Sequence, residues 1–174
     1  RRMNVVLWDD VEGIYFDVMS VSDEAIERIR VKTWTCLTPL WAGVPTAERA
    51  KRLIEDHVLN EAEYWGPFGV PSLARCEFVY NQARRGIVFI PAENRRWTVS
   101  NWQGPVWFLP NWLVMHGLLR YGYNEAARPL ASRVVGLLDR DVAETGGMHE
   151  NYDAETGAGL WSPNFGSWNL LAAY

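Results

Sequence analysis

Residues 107 to 144 read WFLPNWLVMHGLLRYGYNEAARPLASRVVGLLDRDVAE, and two helical patterns follow one another in that stretch. From Trp107 to Gly122 the chain is apolar nearly all round, as a helix covered on every side must be. Pro110 fits early in such a helix, where the first four backbone N–H groups lack partners anyway. Gly122 supplies the stop. Asn124 then caps a second helix running to Glu144, with Leu130, Val134, Leu137, Leu138 and Val142 on one apolar stripe. Pro129 interrupts it and predicts a bend.

The same succession occurs upstream. Residues 32 to 43, with Trp34, Cys36, Leu37, Leu40 and Trp41, read as an all-round apolar helix with Pro39 as a candidate kink. Thr46 caps a helix of about 14 residues whose inner face carries Ala50, Leu53, Ile54 and His57. A covered helix followed by an amphipathic one, twice over, is what a two-layer ring of helices requires. The expected fold class is therefore all-α: part of a helical toroid, with short β-hairpins in the loops and residues 1 to 174 forming a single domain. A compact bundle is the alternative, and the long Gly- and Pro-rich loops argue against it. Residues 14 to 18 and 87 to 90 are predicted strands, 60 to 75 a loop and 76 to 84 a helix, while FGSWNLLAAY at the end opens another helix.

With 174 residues, 48% of them hydrophobic and 22% charged, the chain can bury a real core and is not disordered. The net charge of −4, with no basic run, argues against nucleic acid as a partner. No apolar stretch reaches the roughly 20 residues of a membrane span, and acids stand where a signal peptide has its apolar core, so a cytoplasmic protein without membrane contact is expected. Cys36 and Cys76 match no disulfide or zinc spacing and read as small buried apolar residues. His57, His116 and His149 lack ligand spacing, so neither metal nor cofactor is expected.

Ten Trp, seven Tyr and six Phe are the unusual feature. Several lie beside Gly, Pro and Asn in loop-like stretches, a setting in which aromatic faces pack under sugar rings; the other reading is that they fill a core. In TVSNWQGPVWFLPNW, residues 98 to 112, Gly104 and Pro105 let the backbone approach a ligand that Trp102 and Trp107 wall, with Asn101, Gln103 and Asn111 as donors and acceptors for hydroxyls. In GGMHENYDAETGAG, residues 146 to 159, Glu150 lies between two helices and can polarise a water for attack on an acetal carbon, provided a second carboxyl acts as acid. The competing reading is that Glu150 or Asp153 organises the turn.

GPVWFLPNWL, HENYDAETG and FGSWNLL, preceded by WDDVEGIYFDV and YWGPFGVPSLA, occur in an order that resembles the later part of the catalytic domain of glycoside hydrolase family 63. The resemblance implies an (α/α)6 toroid and hydrolysis of α-linked glucosides or mannosides with inversion, using one Asp as acid and one Glu as base. The family's Glu-Asn-Tyr-Asp motif maps its base onto Glu150, followed by Asn151, Tyr152 and Asp153. Its Trp-x-Gly-Pro-x-Trp segment, which lines the sugar subsite, maps onto Trp102, Gly104, Pro105 and Trp107, with Gln103 in place of the usual Arg. Asn111, Tyr152 and Trp168 complete the expected substrate-binding set. The family's acid belongs to a motif upstream of the Trp-Asp-x-x-x-Gly hairpin, and residues 1 to 8 do not supply it. Association with the missing part of the toroid, or with another chain, is therefore expected. The rival reading is a carbohydrate-binding or scaffolding helical protein without catalysis.

Overall fold

The computed structural model describes residues 2–22, 25–82, 86–90 and 95–173, with backbone pairing alone for 86–90 and 95–99. The short helix α1 (Met3–Val6) leads into the antiparallel pair β1 (Trp8–Asp9) and β2 (Ile14–Tyr15), in which Trp8 stands opposite Tyr15. A second pair, β3 (Asp17–Ser20) and β4 (Ile26–Ile29), runs from Asp17 opposite Ile29 to Ser20 opposite Ile26. The predicted strand at residues 14 to 18 is thus divided between two ladders at Phe16.

The apolar run 32 to 43 is not one helix. A 3-10 turn (Trp34–Leu37) precedes α2 (Thr38–Ala42), with Pro39 in the first turn of α2. A proline is accommodated there because its missing N–H has no intrahelical partner to lose. Trp41 is 45% exposed, so this helix is not covered on every side. Thr46 does cap the next helix, accepting a hydrogen bond from Arg49 N at 3.3 Å. Six residues of α3 (Ala47–Arg52) widen into six of π-helix (Leu53–Val58), and Ala50, Leu53, Ile54 and His57 all face the core.

Residues 76 to 82 form turns in place of the expected helix, and 83 and 84 lie outside the described residues. Long-range bonds win there: Glu77 Oε1 accepts from Lys32 N at 2.8 Å, Tyr80 donates to Glu155 Oε1 at 2.6 Å, and Asn81 N donates to Gln103 O at 2.7 Å. Cys76 rides on these turns and is exposed, whereas Cys36 is buried as expected. The hairpin β5 (Gly86–Ile90) and β6 (Arg95–Val99) follows, with Gly86 opposite Val99.

Two long helices complete the frame. α4 (Phe108–Arg120) packs against α2, against α5 (Asn124–Thr145) and against a closing 3-10 turn (Trp168–Ala173). Asn124 is the first helical residue of α5; the cap position is Tyr123, and its side chain makes no capping bond. Leu130, Val134, Leu137 and Leu138 are buried, but the stripe ends on Asp141 and leaves Val142 47% exposed. The small ladder β7 (Asn151–Tyr152) and β8 (Gly159–Leu160) follows α5. The result is a helix-rich fold with a few short strand pairs. Among the described residues no helix is long and apolar enough to cross a membrane.

Candidate active site

The turn from Gly147 to Tyr152, which carries Glu150, is fastened at nearly every residue. Phe165 N donates to Met148 O at 2.7 Å, Asn169 Nδ2 donates to His149 O at 2.8 Å, and Glu150 N donates to Ser162 O at 2.9 Å. Tyr152 then exchanges two main-chain bonds with Val106, at 2.7 and 2.9 Å. Glu150 itself is half-buried, with Oε2 closed off from solvent. Just beyond β8, Trp161 adopts a φ of 62°. That left-handed conformation costs a non-glycine residue about 1 to 2 kcal/mol, and it precedes the Ser162 carbonyl that holds Glu150.

A buried carboxylate stands beneath the turn. Asp141, on α5 and only 6% exposed, accepts from His149 N at 2.7 Å, from His149 Nδ1 at 2.8 Å and from the Tyr152 hydroxyl at 2.8 Å. Thr145 Oγ1 adds a bond to its other oxygen at 3.1 Å. Burial pushes the Asp141 carboxyl upward, but the His149 and Tyr152 hydrogen bonds outweigh it and hold the group below the usual carboxylate range. For Tyr152 the same contact works with burial, and its phenol is raised far above the ordinary value.

Beside the turn lies a cluster of indoles. Trp102 and Trp107 stack face to face, 3.8 Å between centroids and 5° between planes. Trp168 stands 6.4 Å from Trp102 and 5.7 Å from Trp107, and Phe165 lies 5.4 Å from Trp168. The cluster and the carboxylate are tied through the backbone. Val106, bonded to Tyr152, precedes Trp107, and Asn169, bonded to the His149 carbonyl, follows Trp168.

The expected site residues therefore take distinct places. Trp102, Trp107 and Trp168 are brought together, and Glu150 lies on the turn bonded to the segments that carry Trp107 and Trp168, but the indoles do not stand side by side: Trp107 is 1% exposed and lies behind Trp102, its Nε1 donating to Asn101 O at 2.7 Å. Gln103 accepts from Ser100 N at 2.7 Å through Oε1. Gly104 is buried where a Cβ would meet Asn81 O at 2.1 Å, which accounts for a glycine there. Asn111 is buried, with Oδ1 accepting from Val70 N at 2.7 Å and Nδ2 donating to Val70 O and Trp107 O at 2.9 and 2.8 Å. The Tyr152 hydroxyl is directed at Asp141, and Asp153 organises its own turn by accepting from Glu155 N and Thr156 N at 2.8 and 2.9 Å.

Three contributors escaped the sequence reading. Trp34, assigned to an apolar helix, stacks 5.8 Å from Trp102. Asn169 gave no signal beyond its place after Trp168. Asp141 did leave one: it lies seven residues after Val134 and four after Leu137, a charged residue at a core position of the stripe.

A helix-rich frame with a carboxylate on a braced turn beside clustered indoles has the marks of a glycoside hydrolase domain, and comparison with known proteins supplies the family. The chain belongs to the mannosylglycerate hydrolase MGH1-like glycoside hydrolase domain family, whose sequence model matches residues 1–168. It is 32% identical over 170 residues to a mannosylglycerate hydrolase of Thermus thermophilus, covering 96% of this chain and 34% of that protein. The cytosolic neutral trehalase of Kluyveromyces lactis is 28% identical over 159 residues, covering 90% of this chain and 19% of that protein. The crystal structure of a family 63 mannosylglycerate hydrolase from a second strain of Thermus thermophilus, in complex with glucose, superposes with a TM-score of 0.72 at 30% identity, covering 97% of this chain and 36% of that one. The resemblance to family 63 is borne out. The chain spans about a third of the length of the mannosylglycerate hydrolases that it matches.

Proposed function

We propose that the complete protein hydrolyses α-linked glucosides or mannosides with inversion, and that this chain forms part of its (α/α)6 toroid. Glu150 is the general base. It takes a proton from a water whose oxygen bonds to the anomeric carbon as the glycosidic C–O bond breaks, and an Asp outside this chain protonates the departing oxygen. The two carboxyls would stand about 6.5 to 9.5 Å apart to admit that water. Trp102 and Trp168 hold the sugar, Trp107 backs Trp102, and Gln103 bonds a hydroxyl in place of the guanidinium usual there.

One observation carries this reading: in a chain of a glycoside hydrolase family, the Glu150 carboxylate sits on a turn tied on one side to the residue before Trp107 and on the other to the residue after Trp168. Mannosylglycerate is the first substrate to test, because relatives bear that name. Turnover by the complete protein should release the β anomer first, visible by proton NMR. Glu150→Gln should lower kcat by about 100- to 10,000-fold, and a Gln variant with normal turnover would end the assignment.

A further inference from the structure

Resting on Glu150 as the base, we propose that Asp141 is a positioning residue that sets where the base points. A carboxylate on the core face of a helix is costly unless every lone pair is used, and here the donors come from one direction. Thr145, His149 and Tyr152 all lie on or beside the turn, and the bonds fall on both flanks of Glu150: His149 immediately before it and Tyr152 two residues after. The main-chain bonds to Ser162, Val106 and Asn169 hold the backbone of the same turn on either side of Glu150.

The fit is chemically selective. Oδ1 accepts from Thr145 Oγ1 and His149 Nδ1, while Oδ2 accepts from His149 N and Nδ1 and from Tyr152. A carboxamide has no charge and one acceptor oxygen in place of two, so Asn weakens the brace even where its oxygen keeps the His149 N and Tyr152 bonds. Gly159 guards the other side of the brace: a Cβ there would stand 2.3 Å from His149 Nδ1 and would push the ring off Asp141. Tyr152 is accordingly a strut of the same brace, with its hydroxyl turned inward.

The test uses the complete protein with mannosylglycerate or trehalose, whichever it turns over faster. Asp141→Asn should lower kcat by about 10- to 100-fold with KM within about twofold of wild type, because sugar contacts stay while the base shifts. Amide exchange should quicken at residues 147–152 and remain slow in α4. If Asp141→Asn keeps wild-type kcat while Glu150→Gln is inactive, the brace is overturned and the base stands. If Glu150→Gln stays active, the base and the brace fall together. Should Asp141→Asn not fold, Tyr152→Phe decides, since it deletes one bond. A several-fold loss of kcat at constant KM supports the brace, and unchanged kcat or a loss confined to KM overturns it.

Discussion

Asn111 illustrates how a residue type alone leaves its role open. A buried amide beside Trp107 reads equally as a sugar contact or as a pin for the main chain, and its three bonds to Val70 and Trp107 are those of a pin. Replacing it with Leu strands the Val70 N–H and carbonyl, so Asn111→Leu should destabilise the fold by about 2 to 4 kcal/mol, measured as a fall in the denaturation midpoint. The same ambiguity hid Asp141. Seven or eight residues after Val134 both fall on the apolar stripe; hydrophobicity favours Val142, yet the donors gathered on the 147–152 turn make the carboxylate the buried one. Glu150 could be singled out as a candidate because its tetrapeptide resembles a motif of the family. Its supports could not, since they come from 106, 141, 162 and 169, which only folding brings together.

At the level of elements, the long helices and the Thr46 cap could be read because their signals are local: a period of 3.6 and a side-chain oxygen three residues before a free N–H. The 32 to 43 run and residues 76 to 82 could not. In the first, Pro39 starts a new helix; in the second, Lys32, Glu155 and Gln103 claim the polar groups that a helix would have to leave unshared. Pro129 is a further local conflict. α5 continues through it, so the carbonyl of Glu125 lacks the helical N–H four residues on. Pro129→Ala should stabilise α5 by about 1 to 3 kcal/mol, seen as a higher melting temperature with turnover unchanged.

Across the molecule, three buried carboxyls share one dependence on acidity. Asp9 is held low chiefly by the Glu12 N–H, with Arg30 adding charge. Asp141 and Glu63 are pushed up by burial and brought below the usual range by hydrogen bonds, Glu63 by those of His57 Nδ1 and Lys32 Nζ, each at 2.7 Å. Each is lower in the folded state than in the unfolded chain. Their contribution is therefore complete above about pH 4 and is lost as acidity carries the pH through the folded values. The melting temperature should hold from pH 7 to about pH 5 and fall steeply below pH 4, and a flat profile down to pH 2 would contradict this account.

The closing 3-10 turn has a double attachment: Trp168 belongs to the indole cluster, and the next side chain, Asn169, grips the His149 carbonyl, next to Glu150. On the proposed function, a sugar that stills the Trp168 ring would also stiffen the turn that carries Glu150, and by thermodynamic reciprocity ordering of that turn would favour an occupied ring.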